Sequence, residues 1–288
     1  MAMRREMAGL VVLAALWGAS FLFMRVAVPA LGPFVLIALR LGLAALVLLP
    51  VLLLRGGLPL WRQHWQRIAV VGVFLSALPF CLIAWASLSL PAGVASVLNA
   101  TTPLMTALWA MPLAGERMTL PRAAGLSLGL AGVLVLMLGR GAAFDVQTVL
   151  PVLAMLGATA CYGWSGHMAK RWLPGLPALV TATGSLFSGA VLVTPLALLT
   201  LPAQSPSTTV WGAVVLLALG STALAYLIFY WLIDKLGATR ASSVTYLVPV
   251  FGVLWGSLLL AEPVGVLMLL GGVLILCGVL LLGWRPRS

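Results

Sequence analysis

The chain has 288 residues, 63% hydrophobic and only 7% charged, with a mean hydropathy of +1.18 and a net charge of +11. Soluble domains keep about a quarter of their residues charged, so a water-soluble fold is excluded. The positive excess does not mark a nucleic-acid binder either. Its residues sit at the ends of apolar runs, where they set membrane topology.

Runs long enough to cross roughly 30 Å of hydrocarbon recur along the chain. In order, they predict spans over 7–27, 33–54, 67–89, 94–113, 120–138, 147–169, 177–199, 209–232, 240–260 and 264–283. Pro, Gly or charge marks each break, as at Pro29/Gly32/Pro33, Gly115–Pro121 and Glu262/Pro263. The stretch Arg55–Arg67, with His64, reads as a basic loop. Arg4-Arg5 before the first run resembles a secretory signal, but the run reaches Arg25 without a small-residue cleavage pattern, so it is expected to remain as a helix. With ten spans, Arg4, Arg5, Arg55, Arg62, Arg67, Arg117, Arg122, Lys170, Arg171, Lys235, Arg240, Arg285 and Arg287 share one face. Arg25 and Arg140 fall on the other, and Arg40 lies inside the second span. This bias predicts cytoplasmic N- and C-termini. Cys81, Cys161 and Cys277 all fall in apolar segments, which suits packing and neither a disulfide framework nor a metal site.

The chain also repeats itself. At an offset of 145 residues, Trp17-Gly18-x-Ser20 and Arg25 lie on Tyr162-Gly163-x-Ser165 and Lys170. At an offset of 146, Ala92, Ala95, Ser96, Pro103, Trp109 and Glu116 lie on Ala238, Ala241, Ser242, Pro249, Trp255 and Glu262. The period holds an odd number of spans, so the second half must enter the membrane upside down. The expected fold is all-α: ten transmembrane helices as two inverted five-helix repeats, 1–140 and 147–288, around a central cavity. Such folds alternate access to a midplane site by rocking one half against the other.

The opening Leu16-Trp17-Gly18-Ala19-Ser20-Phe21, the single Arg of Leu39-Arg40-Leu41 and the five-plus-five plan resemble the drug/metabolite transporter superfamily. Within it the chain resembles EamA-type exporters, and more narrowly the YddG-like exporters of aromatic amino acids. The resemblance implies export of small amphipathic metabolites across a bacterial inner membrane. Amino acids are the first substrates to consider, with multidrug or other metabolite export as the alternative. It implies no cofactor, a small-molecule substrate, the bilayer as surroundings, and a monomer or homodimer. Ser185 stands where the second repeat would carry the equivalent of Arg40.

Pro103 and Pro249 sit near the middles of spans four and nine, where each would free the carbonyl four residues earlier, at Asn99 and Thr245. A cavity-lining break is the sharper reading and a packing kink the plainer one. Asn99, Thr102, Ser242 and Tyr246 are polar candidates nearby. Trp17, Ser20, Trp85, Trp164, His167 and Tyr226 complete the candidate binding set, as rings to stack on a ligand or groups to bond it, with core packing as the alternative for each. Arg40 reads first as a structural residue and second as a carboxylate ligand. Glu6, Glu116, Asp145, Asp234 and Glu262 all fall at helix ends or loops, so no carboxylate is expected at membrane depth. Coupling would run through His167, through the substrate's own charge, or not occur. An intramembrane enzyme would need paired acids or a nucleophile set that one His does not supply, and no phosphate-binding G-x-x-x-x-G-K-[ST] loop exists. Gly125-x-x-x-Gly129 with Gly132, and Gly271, Gly272 and Gly278, predict close packing of the fifth and tenth spans.

Overall fold

The computed structural model describes residues 2–139 and 146–283. Arg140, Asp145, Arg285 and Arg287, used above for topology and helix ends, lie outside the described residues. The chain is helices joined by short connections in this range, with no strand among the described residues. In lipid an unpaired peptide group costs several kcal/mol, and helices pair their own. We label the rods α1 (2–31), α2 (33–54), α3 (Leu58–Ala86), α4 (Ala92–Ala114) and α5 (Leu120–Leu138). They continue as α6 (Val146–Trp172), α7 (Ala178–Leu199), α8 (Thr208–Leu236), α9 (238–260) and α10 (Val266–Gly283).

Seven stretches among the described residues are long and apolar enough to cross a membrane, and two shorter apolar helices follow them. The first stretch contains both α1 and α2, because the chain reverses without a loop at Gly32 (φ 71°, ψ 163°). That backbone suits glycine, and Pro33 then starts α2 with its φ already helical. The third rod corrects an expectation. It begins at Leu58 rather than near 67, so Arg62, His64 and Arg67 are helical and no long basic loop exists. Pro59 organises the first turn, and Arg67 Nη1 donates to the Trp172 carbonyl at 3.2 Å, tying this end to α6.

One local irregularity recurs at a matched place. π-helical turns interrupt α3 at Val73–Ala77 and α8 at Leu216–Leu224, which overlap at the 146-residue offset. Breaks also divide α4 at Ala100–Thr101 and α9 at Ser242–Ser243, four residues out of register at that offset. Pro103 therefore does not kink a continuous helix; it occupies the first turn of a new one, where its missing N–H costs nothing. Pro249 does lie inside a helix, as expected.

Cross-packing is matched as well. Trp109 Nε1 on α4 donates to the Ala160 carbonyl on α6 at 2.9 Å, while Trp255 Nε1 on α9 donates to the Ala15 carbonyl on α1 at 3.1 Å. Gly18 faces Phe251 and Gly252, and Gly163 faces Met105 and Thr106. Helices α5 and α10 touch backbone to backbone: a Cβ on Gly132 would lie 2.7 Å from the Gly271 carbonyl oxygen, and one on Gly125 2.6 Å from that of Gly278. The glycine stripes thus serve packing within the monomer.

Candidate functional site

The most unusual interior residue is Arg40, only 5% exposed and flanked on α2 by the fully buried Leu36, Ile37, Leu41 and Ala44. A guanidinium in such surroundings is costly unless its donors and charge are engaged. Its Nε donates to Thr222 Oγ1 at 3.0 Å, and Nη1 lies 3.6 Å from Met24 Sδ, a weak acceptor. The guanidinium carbon stands 3.7 Å from the centre of the Phe80 ring, a cation–π contact worth about 2 kcal/mol when desolvated. The phenols of Tyr162 and Tyr226 lie within its electrostatic range.

The π turn of α8 makes this arrangement possible. Thr222 Oγ1 donates to the Leu217 carbonyl at 2.8 Å, five residues back, which leaves a lone pair to accept from Arg40. Around the cation, Phe80 and Tyr162 meet edge to face at 6.4 Å, and Tyr226 stacks on Tyr230 at 5.9 Å with nearly parallel planes. Arg has five N–H donors, and the bonds above use two. Among the described residues the only ion pair is Arg122–Glu116, so no carboxylate neutralises Arg40. A planar cation with spare donors inside an aromatic box suits a carboxylate that carries an apolar group.

Of the residues nominated by sequence, Arg40 and Tyr226 belong to this cluster. Trp17 borders it, packing at 5.2 Å on Phe229, which in turn meets Tyr230. Ser20 is buried but its hydroxyl is spent on the Trp17 carbonyl at 2.6 Å. Asn99 lies at the break of α4: its carbonyl accepts from Thr102 Oγ1 at 2.8 Å, and its buried amide Oδ1 has no protein partner. His167 Nε2 sits 3.0 Å from the Thr106 carbonyl, bridging α6 to α4. Trp164 packs on Phe74 and Trp172 in a separate cluster. Trp85, Ser242 and Tyr246 are exposed.

Met24, Phe80, Tyr162 and Thr222 join the Arg40 cluster without having been nominated from the sequence. Tyr162 carried a signal, since it is the repeat partner of Trp17. Thr222 is the partner of Ser76 at offset 146. The second half has no cation at the matching place. Ser185 is pressed on α3, where a Cβ on Gly72 would lie 2.8 Å from its Cα, and the buried hydroxyls of Ser76, Thr183 and Ser185 have no protein partner. A separate apolar groove of about 860 Å³, lined by Trp61, Trp65 and Phe187 among others, lies between α3 and α7 and touches none of these groups.

The family model for EamA-like transporters matches residues 5–138 and again 149–284. The chain belongs to the EamA-like transporter family. It is therefore a multi-pass membrane transporter, as the drug/metabolite transporter resemblance implied. It is 23% identical over 280 residues to the uncharacterized transporter YoaV of Bacillus subtilis, covering 96% of each chain. It is 27% identical over 279 residues to a probable terminal-alkyne amino-acid exporter of Streptantibioticus cattleyicolor, covering 93% of this chain and 90% of that one. Over 246 residues it is 29% identical to the uncharacterized inner membrane transporter YedA of Escherichia coli K12, covering 84% and 78%. A solved crystal structure aligns over 97% of this chain and 96% of its own, with a TM-score of 0.69 at 24% identity, a likeness of fold alone.

Proposed function

We propose that this EamA-family member is a secondary transporter that exports small amphipathic metabolites, chiefly amino acids with aromatic or apolar side chains. The observation that carries the substrate class is Arg40: a buried cation with no anion beside it among the described residues, set over Phe80 and within electrostatic range of the Tyr162 and Tyr226 phenols. The substrate carboxylate pairs with the guanidinium, and its side chain takes the place of solvent against the rings. The amino-acid exporter among the relatives supports the same class.

Alternating access follows from the two halves, 1–140 and 147–288, read as inverted five-helix repeats with both termini cytoplasmic. Counting α1 and α2 separately and admitting the two shorter helices gives ten spans. The exchanged bonds Trp109–Ala160 and Trp255–Ala15 support the equivalence of the halves. No carboxylate among the described residues accompanies Arg40 at depth, and His167 is engaged by a backbone carbonyl. Passage is driven by the substrate gradient.

Counterflow in proteoliposomes tests this, with labelled phenylalanine, threonine, a polyamine and a cationic dye in parallel. Phenylalanine exchanges fastest, and the two cations, repelled by Arg40, do not exchange. Uptake of the dye with no exchange of any amino acid overturns the substrate class.

A further inference from the structure

Helices α4 and α9 end in the same way. Each closes on a left-handed residue, Gly115 (φ 67°) or Ala261 (φ 53°), followed by a glutamate. The Glu116 N–H bonds the Ala110 carbonyl at 3.2 Å, and the Glu262 N–H bonds the Gly256 carbonyl at 3.1 Å. All these positions match at offset 146. The backbones agree, yet the two carboxylates have different partners.

Glu262 reaches across to the start of α4, accepting from the N–H of Ala92 at 2.8 Å and of Gly93 at 3.1 Å. These are first-turn amides, which have no acceptor within their own helix. The contact is closely fitted: a Cβ on Gly93 would lie 3.3 Å from Val253 Cα, and one on Gly256 would strike the Glu262 carboxylate. One turn further in, Ser96 is fully buried against Gly252, and its hydroxyl lies 3.5 Å from the Pro249 carbonyl. Every residue from Ala92 to Leu98 is buried.

At the opposite end of α4, Glu116 pairs with Arg122 instead, and its side chain is 43% exposed. The matching backbone, at Ala238 and Thr239, lacks its carboxylate. Ser242, the partner of Ser96, is exposed, as are Ala238 and Arg240. The α4–α9 packing at the Ala92 end has no counterpart of comparable extent between the start of α9 and Thr102–Ala114.

We propose that Glu262 and Glu116 are paired latches of the transport cycle, each closing one face by capping the first turn of the opposing helix. The inference rests on the inverted-repeat transporter reading above. In the described conformation the Glu262 latch is shut and the Glu116 latch is open. When the molecule turns over, Glu262 leaves Ala92 and Gly93, and Glu116 leaves Arg122 to accept from the N–H groups of Ala238 and Thr239. Position 122 matches Met268, so only one latch has a competing cation, and that cation favours the described state.

The test uses full-length protein in nanodiscs with Cys81, Cys161 and Cys277 replaced by Ser. A membrane-impermeant maleimide reports access at Ser96→Cys and, in a second variant, at Ser242→Cys. In the parent, Ser242→Cys labels fast and Ser96→Cys slowly. Glu262→Gln replaces a charge-assisted bond by a neutral one, so labelling rises roughly tenfold at Ser96→Cys and falls at Ser242→Cys. Arg122→Ala frees Glu116 and slows Ser242→Cys. Glu116→Gln slows Ser96→Cys still further. Because Arg122 and Glu116 are partly exposed, these two arms decide the matter even if Glu262→Gln fails to fold. Labelling rates that move together, or not at all, overturn the latch. Opposed labelling changes in a protein that exchanges no solute leave the latch standing and overturn the transport reading. Solute exchange without opposed changes overturns the latch alone.

Discussion

Replacing Arg40 by Met separates the two roles a buried arginine can have. Met keeps much of the volume and cannot pair with a carboxylate. Breaking a buried ion pair on one side costs about 3–5 kcal/mol, and each 1.4 kcal/mol is tenfold, so half-saturation for phenylalanine should rise at least roughly 100-fold. 2-Phenylethanol keeps the ring but carries neither a carboxylate nor a charge, so its competition in the same counterflow assay should change by no more than about threefold, under 1 kcal/mol. Stability gives the second readout. The substitution loses the Thr222 bond and the Phe80 contact, about 3 kcal/mol together. It also relieves the desolvation of an unpaired cation, a cost of several kcal/mol. The two terms nearly cancel, so the melting temperature in detergent should shift by only a few degrees. Equal loss of both ligands, with a steep fall in melting temperature, refutes the reasoning and makes Arg40 a strut.

Ala261 holds a left-handed backbone that costs a side chain about 1 kcal/mol, so Ala261→Gly should raise the melting temperature slightly without slowing counterflow. Gly132→Ala places a methyl against the Gly271 carbonyl, and thermal unfolding should show a loss of about 1–3 kcal/mol. His167→Ala removes one bond to a backbone carbonyl, about 1 kcal/mol of stability, and counterflow should remain indifferent to an imposed pH gradient before and after the change. Uptake driven by the pH gradient and abolished by that substitution would show a proton path instead.

The helices were legible because lipid imposes one rule on every span: an apolar run of sufficient length. The offset of 146 exposed the matched Glu116 and Glu262, but their roles were not legible. Capping depends on which helix end lies opposite, and that is a tertiary fact. The Arg40 cluster was the least legible part, for a similar reason. Arg40, Met24, Phe80, Tyr162 and Thr222 come from five rods, and no spacing along the chain links them. The π turn that frees Thr222 to accept from Arg40 leaves no mark in hydropathy. The early start of α3 escaped because Arg62, His64 and Arg67 lower hydropathy without weakening helix formation. Charge at an interface ends a span, and it need not end a helix.

The glycine seam between α5 and α10 also constrains motion. Its two contacts, Gly125 with Gly278 and Gly132 with Gly271, lie seven residues apart, about 10 Å along each axis. Sliding would drive neighbouring side chains into the facing carbonyls, and parting would expose peptide groups that meet at van der Waals distance. Tilting about the seam disturbs neither contact much. On the alternating-access reading proposed above, α5 and α10 would form the hinge pin around which the remaining rods swing.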